Sequence, residues 1–243
     1  NVVTCNKIAC ADVYKNYINL KNVAKKYGTS FLFETNVGAG LPIIDTLNNL
    51  VNSGDKIISI QAILSGSLNY IFNNYNTSIN FREVVQKAMD EGFTEPDPKI
   101  DLSGIDVARK ILILARESGK EIELNEINNN SFIPNQCLET SSNKDFLNSL
   151  DSNETHFKKI LNKAIESESK IKYVAEYKNG KASVGIKYIP KGHDFYNLEG
   201  SDNIVLFYTE RYKKQPLIVK GAGAGSEVTA SGIFADIIRV SRN

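Results

Sequence analysis

The sequence predicts an α/β protein in which helices and strands are interleaved and the later strands form a mixed, largely antiparallel sheet. Three observations predict it. Helix-period and strand-period apolar patterns alternate along the whole chain. Four strand-like runs follow one another closely between Ile171 and Lys220, the arrangement of a sheet built from near neighbours. With 243 residues, 42% of them hydrophobic, the chain can bury a substantial core.

The elements follow in order. Residues 1–4 (Asn1-Val2-Val3-Thr4) read as the end of a strand that needs neighbours upstream, which suggests a truncated chain or a proteolytic fragment. Residues 11–27 are helical by spacing and stop at Gly28, and 31–33 form a short apolar strand. A helix opens at Leu41-Pro42, with proline near its first turn, and closes at Gly54. Residues 56–64 alternate through Ile57, Ile58, Ile60, Ala62 and Leu64, a strand with one face buried. Helices are expected over 67–74 and 81–91, then a proline-rich loop, then a long helix over 103–118 with Gly119 at its left-handed stop. The Asn- and Ser-rich stretch 125–153 is the least decodable, and 128–130 reads as a loop. Helix resumes over 154–168. Strands are expected over 171–177, 182–189, 204–212 and 217–220. A glycine-rich turn, 221–225, leads into a last helix carrying Val228, Ile233, Phe234, Ile237 and Ile238.

Composition narrows the function. Lys and Arg number 29 against 28 Asp and Glu, so no global field draws nucleic acid or anionic lipid to the chain. No apolar run approaches the roughly 18 residues of a membrane span. Cys5, Cys10 and Cys137 are too few and too scattered for a disulfide framework or a zinc site, and a reducing, cytoplasmic setting is expected. His156 and His193 have no carboxylate or cysteine at ligand spacing and read as surface residues. A P-loop is absent.

The chemistry concentrates in Gly92-Phe-Thr-Glu-Pro-Asp-Pro-Lys-Ile-Asp-Leu-Ser-Gly-Ile-Asp-Val-Ala-Arg-Lys110. Two prolines stiffen the arm that carries Glu95, Asp97 and Asp101, which limits the ordering entropy a binding loop loses. In the following helix Ile105, Ala108, Ile111, Leu112 and Ala115 fall in one apolar arc, and Asp106 and Lys110 lie together on the other side, one turn apart. By spacing alone that pair reads as a solvated ion pair worth about 0.3–0.5 kcal/mol. Its place beside a rigid acidic arm favours a site instead: carboxylates for an ammonium-bearing substrate, and a lysine to move a proton at its oxygen.

This segment closely resembles the homoserine dehydrogenase signature G-[YF]-T-E-P-D-P-x-x-D-L-[SN]-G-x-D-V-A-R-K, departing chiefly at Ile100, where an Asp is common. The likeness covers most of the chain, is weakest over 125–169, and resembles in particular the dehydrogenase half of bifunctional aspartokinase–homoserine dehydrogenases. It implies NAD- or NADP-dependent interconversion of L-homoserine and L-aspartate 4-semialdehyde, on the aspartate route to threonine, methionine and isoleucine. It implies Lys110 as the catalytic lysine, Glu95 and Asp106 as holders of the substrate amino group, and Asp101 as a supporting acid. Thr4-Cys5-Asn6-Lys7 is similar to the family's T-x-N-K segment, which puts Lys7 between cofactor and substrate; alone, it reads as a surface lysine. Residues 34–42 resemble the loop E-[AT]-x-V-G-A-G-[LI]-P, which implies a structural sodium ion on the backbone carbonyls of Glu34, Val37, Ala39 and Leu41, oxygen ligands suited to a hard cation; alone, this is a strand-to-helix turn. The Gly221–Gly225 turn is not a G-x-G-x-x-G fingerprint; the likeness places it over the cofactor, with Gly225 allowing close approach.

The resemblance also implies a fold: an α+β catalytic domain with remnants of a Rossmann-type nucleotide-binding domain at both ends. Residues 1–36 would be the carboxyl-terminal remnant of that domain, 37–220 the catalytic and dimerisation domain, and 221–243 a helix returning to the nucleotide-binding domain. A homodimer is expected, with no nucleic-acid or membrane partner. The main Gly-rich cofactor grip is absent from the sequence, so the chain alone is expected to turn over little. The competing reading is a non-catalytic oligomerisation or amino-acid-sensing module that keeps the fold.

Overall fold

Two sheets organise the chain, seen in a computed structural model that describes residues 1–242. In the smaller, β1 (Val2–Val3) runs parallel to β2 (Phe31–Leu32). Between them lie α1 (Ile8–Ala11), a short helix ahead of the one expected, and α2 (Tyr14–Lys26), which matches the helix expected over 11–27 but begins later. The two are separated at Asp12, whose backbone is extended and whose carboxylate accepts from the Val13 N–H at 2.7 Å and from the Asn16 side chain at 2.8 Å, local bonds that compete with the helix. A 3₁₀ turn (Glu34–Asn36) follows, then α3 (Ile43–Asn52).

The larger sheet begins with β3 (Ile57–Ile63), after which the chain forms α4 (Gly66–Asn74), α5 (Phe81–Asp90), α6 (Pro98–Leu102) and α7 (Ile105–Glu117). Next come β4 (Asn128–Asn130), α8 (Asn135–Leu138), α9 (Asn143–Ser152) and α10 (Glu154–Glu166). The remaining strands are β5 (Ser169–Lys178), β6 (Lys181–Pro190), β7 (Asn203–Thr209) and β8 (Leu217–Gly221), and α11 (Ser226–Arg242) ends the described chain. The order across the sheet is β4-β6-β5-β3-β7-β8, antiparallel at every pairing except β4 with β6. The expected mixed, largely antiparallel sheet is present.

Three expectations are corrected. Residues 128–130 are an edge strand, not a loop. Pairing with β6 holds them, and Asn129 is tied by its side chain to the Ser103 carbonyl and the Tyr173 hydroxyl. The proline-rich arm is partly helical, as α6, because Asp97 accepts from the Lys99 N–H ahead of Pro98 at the first helical position. Finally, the Ile63 end of β3 is buried on both faces, although Ile57, Ile58 and Gln61 stay partly open. Helices cover one face, and on the other Ile63, Val174, Ile189, Ile204 and Leu206 pack beneath Phe195 and Leu198 of the β6–β7 crossover. Among the described residues no helix is long and apolar enough to cross a membrane.

The central element is α7. Ala108, Ile111, Leu112 and Ala115 are buried as the arc predicts, but so are Val107, Ile113 and Leu114, because α7 lies between the sheet and α1 and α3. Only its first turns open onto a cleft.

Candidate active site

The cleft, of about 690 Å³, forms where β3, α6, α7 and the chain ends meet. At the end of β3 the chain turns through Ser65, whose hydroxyl accepts from the Leu68 N–H at 3.1 Å and starts α4. The acidic arm comes next, and Gly104, at φ 71°, joins α6 to α7. Only glycine fits there: a Cβ at residue 104 would lie 1.9 Å from the Tyr173 hydroxyl. This turn puts Asp106 in the first turn of α7 and Lys110 one turn on.

Lys110 is held on two sides. Its ammonium donates to the Leu64 carbonyl at 2.7 Å and pairs with the Asp106 carboxylate at 2.8 Å. Its side chain is only 13% exposed, so the solvated-pair reading does not describe it. An ammonium has three N–H bonds, and these two partners leave one for the cleft. Lys7 approaches the same carboxylate from the small sheet, 3.3 Å from Asp106. Burial alone would raise the Asp106 carboxyl, but the Lys110 and Lys7 ammonium groups together outweigh it and hold it below the usual aspartate range. Asp106 is therefore an anion bridging two cations.

Asp101 does a different job. It accepts from the Ser67 hydroxyl at 2.7 Å and from the Glu95 backbone N–H at 2.8 Å, so it fixes the arm on α4. Burial holds its carboxyl above the ordinary range against those two hydrogen bonds, with the Glu95 and Asp106 charges adding to the rise. The exposed Glu95 side chain lines the cleft and makes no hydrogen bond or ion pair among the described residues.

The opposite wall contains Cys5, Thr35, Asn36, Ala39, Gly223 to Gly225 and Thr229. The Thr35 hydroxyl and both amide atoms of Asn36 are buried without a hydrogen-bond partner, which marks this wall as polar surface suited to a ligand's own polar groups. Gly225, at φ 119°, immediately precedes the amino end of α11. Two other glycines explain how α11 reaches the 34–42 loop: a Cβ on Gly40 would lie 2.4 Å from the Val228 carbonyl, and one on Gly232 would lie 2.5 Å from the Thr35 methyl.

Of the residues singled out from sequence, Lys7, Ala39, Glu95, Asp101, Asp106, Lys110 and Gly225 line this one cleft, whereas Glu34, Val37 and Leu41 lie outside its lining. The Glu34 carboxylate accepts from the Ile44 and Asp45 N–H groups at 2.7 and 2.8 Å, capping α3, and burial pushes it up to about 7. The carbonyls of Val37 and Ala39 accept no hydrogen bond among the described residues. Those of Glu34 and Leu41 each accept one, from Val37 and Ile43. Each of the latter keeps a second lone pair, so all four oxygens remain acceptors of the kind a hard monovalent cation takes. Sequence reasoning missed Leu64, Ser67, Thr35 and Asn36. The first acts through its backbone, and only the Ser-rich start of α4 offered a signal for the second. His156 is exposed and bonds the Phe132 carbonyl at 2.8 Å, away from the cleft.

A family model described as homoserine dehydrogenase matches residues 42–238. The chain is similar to the chloroplastic bifunctional aspartokinase/homoserine dehydrogenase 2 of Zea mays, 43% identical over 243 residues, covering 99% of this chain and 26% of that protein. It is also similar to the bifunctional aspartokinase/homoserine dehydrogenase of Haemophilus influenzae, 41% identical over 98% of this chain and 29% of that protein. The chain thus spans between a quarter and a third of the length of these relatives. Among solved structures, a Candida auris protein of unknown function superposes with a TM-score of 0.95 at 39% identity, covering 100% of this chain and 70% of that one. A hyperthermophilic archaeal homoserine dehydrogenase in complex with NADPH superposes at 0.74 with 28% identity, covering 99% and 63%.

Proposed function

The chain belongs to the homoserine dehydrogenase family, and from that premise we propose that its cleft interconverts L-homoserine and L-aspartate 4-semialdehyde with a nicotinamide cofactor, NADP or NAD. One observation carries the reading: Lys110, nearly buried, is clamped by Asp106 and the Leu64 carbonyl with one N–H left for the cleft that Glu95 also lines. Glu95 and Asp106 take the substrate ammonium, and Asp101 holds Glu95 at its station through the backbone. Lys110 gives a proton to the aldehyde oxygen during reduction and recovers it from the alcohol during oxidation. The cofactor, when bound, supplies or accepts the hydride. Lys7 and Gly225 would hold it, with the Thr35 and Asn36 side chains, and their common place in the lining of the cleft supports this. Lys7 also keeps Asp106 ionised.

The test uses the full-length protein. Lys110→Met is expected to lower kcat by roughly 10²- to 10⁴-fold, followed through the absorbance of reduced nicotinamide, with KM little changed. A kcat within about tenfold of the parent would instead favour a sensing module.

Three further parts belong to this reading. The carbonyls of Glu34, Val37, Ala39 and Leu41 hold a sodium ion, so sodium chloride should raise the melting temperature more than choline chloride does. Residues 1–36 and 221–243, of which Asn243 lies outside the described residues, belong to one nucleotide-side unit and 37–220 to the catalytic domain; the packing of α11 on β1 and on the 34–36 turn supports that division. A second copy of the chain pairs through the half-open sheet face bearing Gln61, Glu176, Lys187, Tyr208 and Ile218. Ile218→Glu should then yield monomers in sedimentation. The three unpaired cysteines support a reducing, cytoplasmic setting.

A further inference from the structure

The far end of α7 carries a second polar assembly that the chemistry above does not use. Arg116 is 3% exposed, yet each of its N–H donors is engaged. Nε and Nη2 donate to the Ile122 carbonyl at 3.1 and 3.0 Å, and Nη2 also donates to the Glu123 carboxylate at 3.1 Å. Nη1 donates to the Cys10 and Asp12 carbonyls at 2.8 and 2.7 Å, which are among the free carbonyls at the end of α1. Beside it, Glu117 accepts from the Tyr17 hydroxyl and from Lys21, at 2.7 Å, and Glu123 accepts from the Tyr14 N–H at the start of α2 at 2.9 Å. The last turn of α7 therefore grips both helices of the small β1–β2 unit.

Those carbonyls lie just beyond Lys7, which immediately precedes α1. The segment from Lys7 to Asp12 is consequently fastened to α7 at two places. Lys7 meets Asp106 in the first turn, at 3.3 Å, and the Cys10 and Asp12 carbonyls meet Arg116 in the last. We infer that Arg116 is a positioning residue, which acts through α1 to hold Lys7 against Asp106. α7 then serves as a ruler between the two halves of the site: it bears Asp106 and Lys110 itself and fixes where the lysine of the other unit arrives.

The guanidinium is required by its shape. It presents five donors in a planar fork and serves acceptors on opposite sides at once, whereas a lysine offers three donors from one point. Lysine at this position would keep the charge and lose the span. The inference rests on the role given to Lys7 in the proposed function, and the experiment separates the two.

In the full-length protein, Lys7→Ala, Arg116→Lys and the double variant are compared by kcat and KM. Hydrogen exchange over residues 8–12 is followed in each. Lys7→Ala is expected to lower kcat by roughly tenfold or more, Arg116→Lys to reproduce most of that loss, and the double variant to be no worse than Lys7→Ala alone. Exchange over 8–12 is expected to accelerate at least about tenfold in Arg116→Lys. Glu123→Gln, a milder route to the same slack, guards against a folding defect and should move both readouts in the same direction. Losses that multiply in the double variant, or unchanged exchange over 8–12, would overturn the positioning role. A silent Lys7→Ala with faster exchange in Arg116→Lys would overturn the role of Lys7, and with it the catalytic consequence, while leaving the tether itself standing.

Discussion

Replacing Gly104 with alanine tests whether the turn between α6 and α7 sets the site. Two costs can be worked from the structure. The residue sits at φ 71°, and a side chain in that left-handed region costs about 1–2 kcal/mol. The added methyl would start 1.9 Å from the Tyr173 hydroxyl and 2.8 Å from its ring carbon Cζ, and forcing extra volume into a packed core costs about 1–3 kcal/mol. Together they predict a loss of about 2–5 kcal/mol, a large share of an ordinary domain's stability. Urea unfolding measures it. Tyr173→Phe alone should cost about 0.5–1.5 kcal/mol, from the lost hydrogen bond to Asn129 at 3.1 Å. With the hydroxyl gone, Gly104→Ala/Tyr173→Phe should be less destabilised than the sum of the single variants by about 1 kcal/mol, since only the Cζ and Cε1 contacts and the φ strain remain. Asp106 lies two residues beyond the turn, so the single alanine variant should also lose activity under conditions where it is folded. Strict additivity, or a loss from Gly104→Ala below about 1 kcal/mol, would refute the close contact from which these magnitudes are derived.

Glu95→Gln should raise KM for homoserine by roughly 10- to 100-fold, the worth of one charge-assisted hydrogen bond, with stability almost unchanged because the exposed side chain supports nothing else; an unaltered KM would remove Glu95 from the ammonium site. Lys172 donates to Asn69, Asn73 and the Leu198 carbonyl beneath the β6–β7 crossover, and its ammonium is pushed down to about 8, mainly by burial. Between that value and the ordinary lysine range the folded state binds fewer protons than the unfolded, so this group adds stability as pH rises through the window. The advantage of the parent over Lys172→Met should therefore widen above pH ~8 by up to about 1.4 kcal/mol per pH unit, and an advantage that narrows in denaturant titrations would contradict the assignment. Lys110→Met should also release Asp106 from its main cationic partner, so a carbon-13 titration should find that carboxyl at higher pH than in the parent; no movement would break the pairing.

Much of the site could be read in the residues themselves, because helical geometry is local. One turn separates Asp106 from Lys110 wherever that helix lies, and the prolines and Asp97 set the local course of the acidic arm, although Ser67, Thr140 and Asn143 tie it in place. The periods of the later strands likewise foretold a largely antiparallel sheet, since β5 pairs with β6 and β7 with β8 across short connections; that both halves join through β3, far earlier in the chain, was not legible. What pattern could not supply was the environment around those residues. The Ile63 end of β3 is buried on its second face only because a crossover lays Phe195 and Leu198 over it. The asparagines of β4 form a strand only because β6 offers an edge. Lys110 passes from a surface ion pair to a nearly buried, clamped ammonium because the carbonyl of Leu64, distant in sequence and invisible in any side-chain motif, arrives 2.7 Å away. Period and spacing belong to the backbone and are written in order. Burial and partnership belong to segments that meet only when the chain closes on itself.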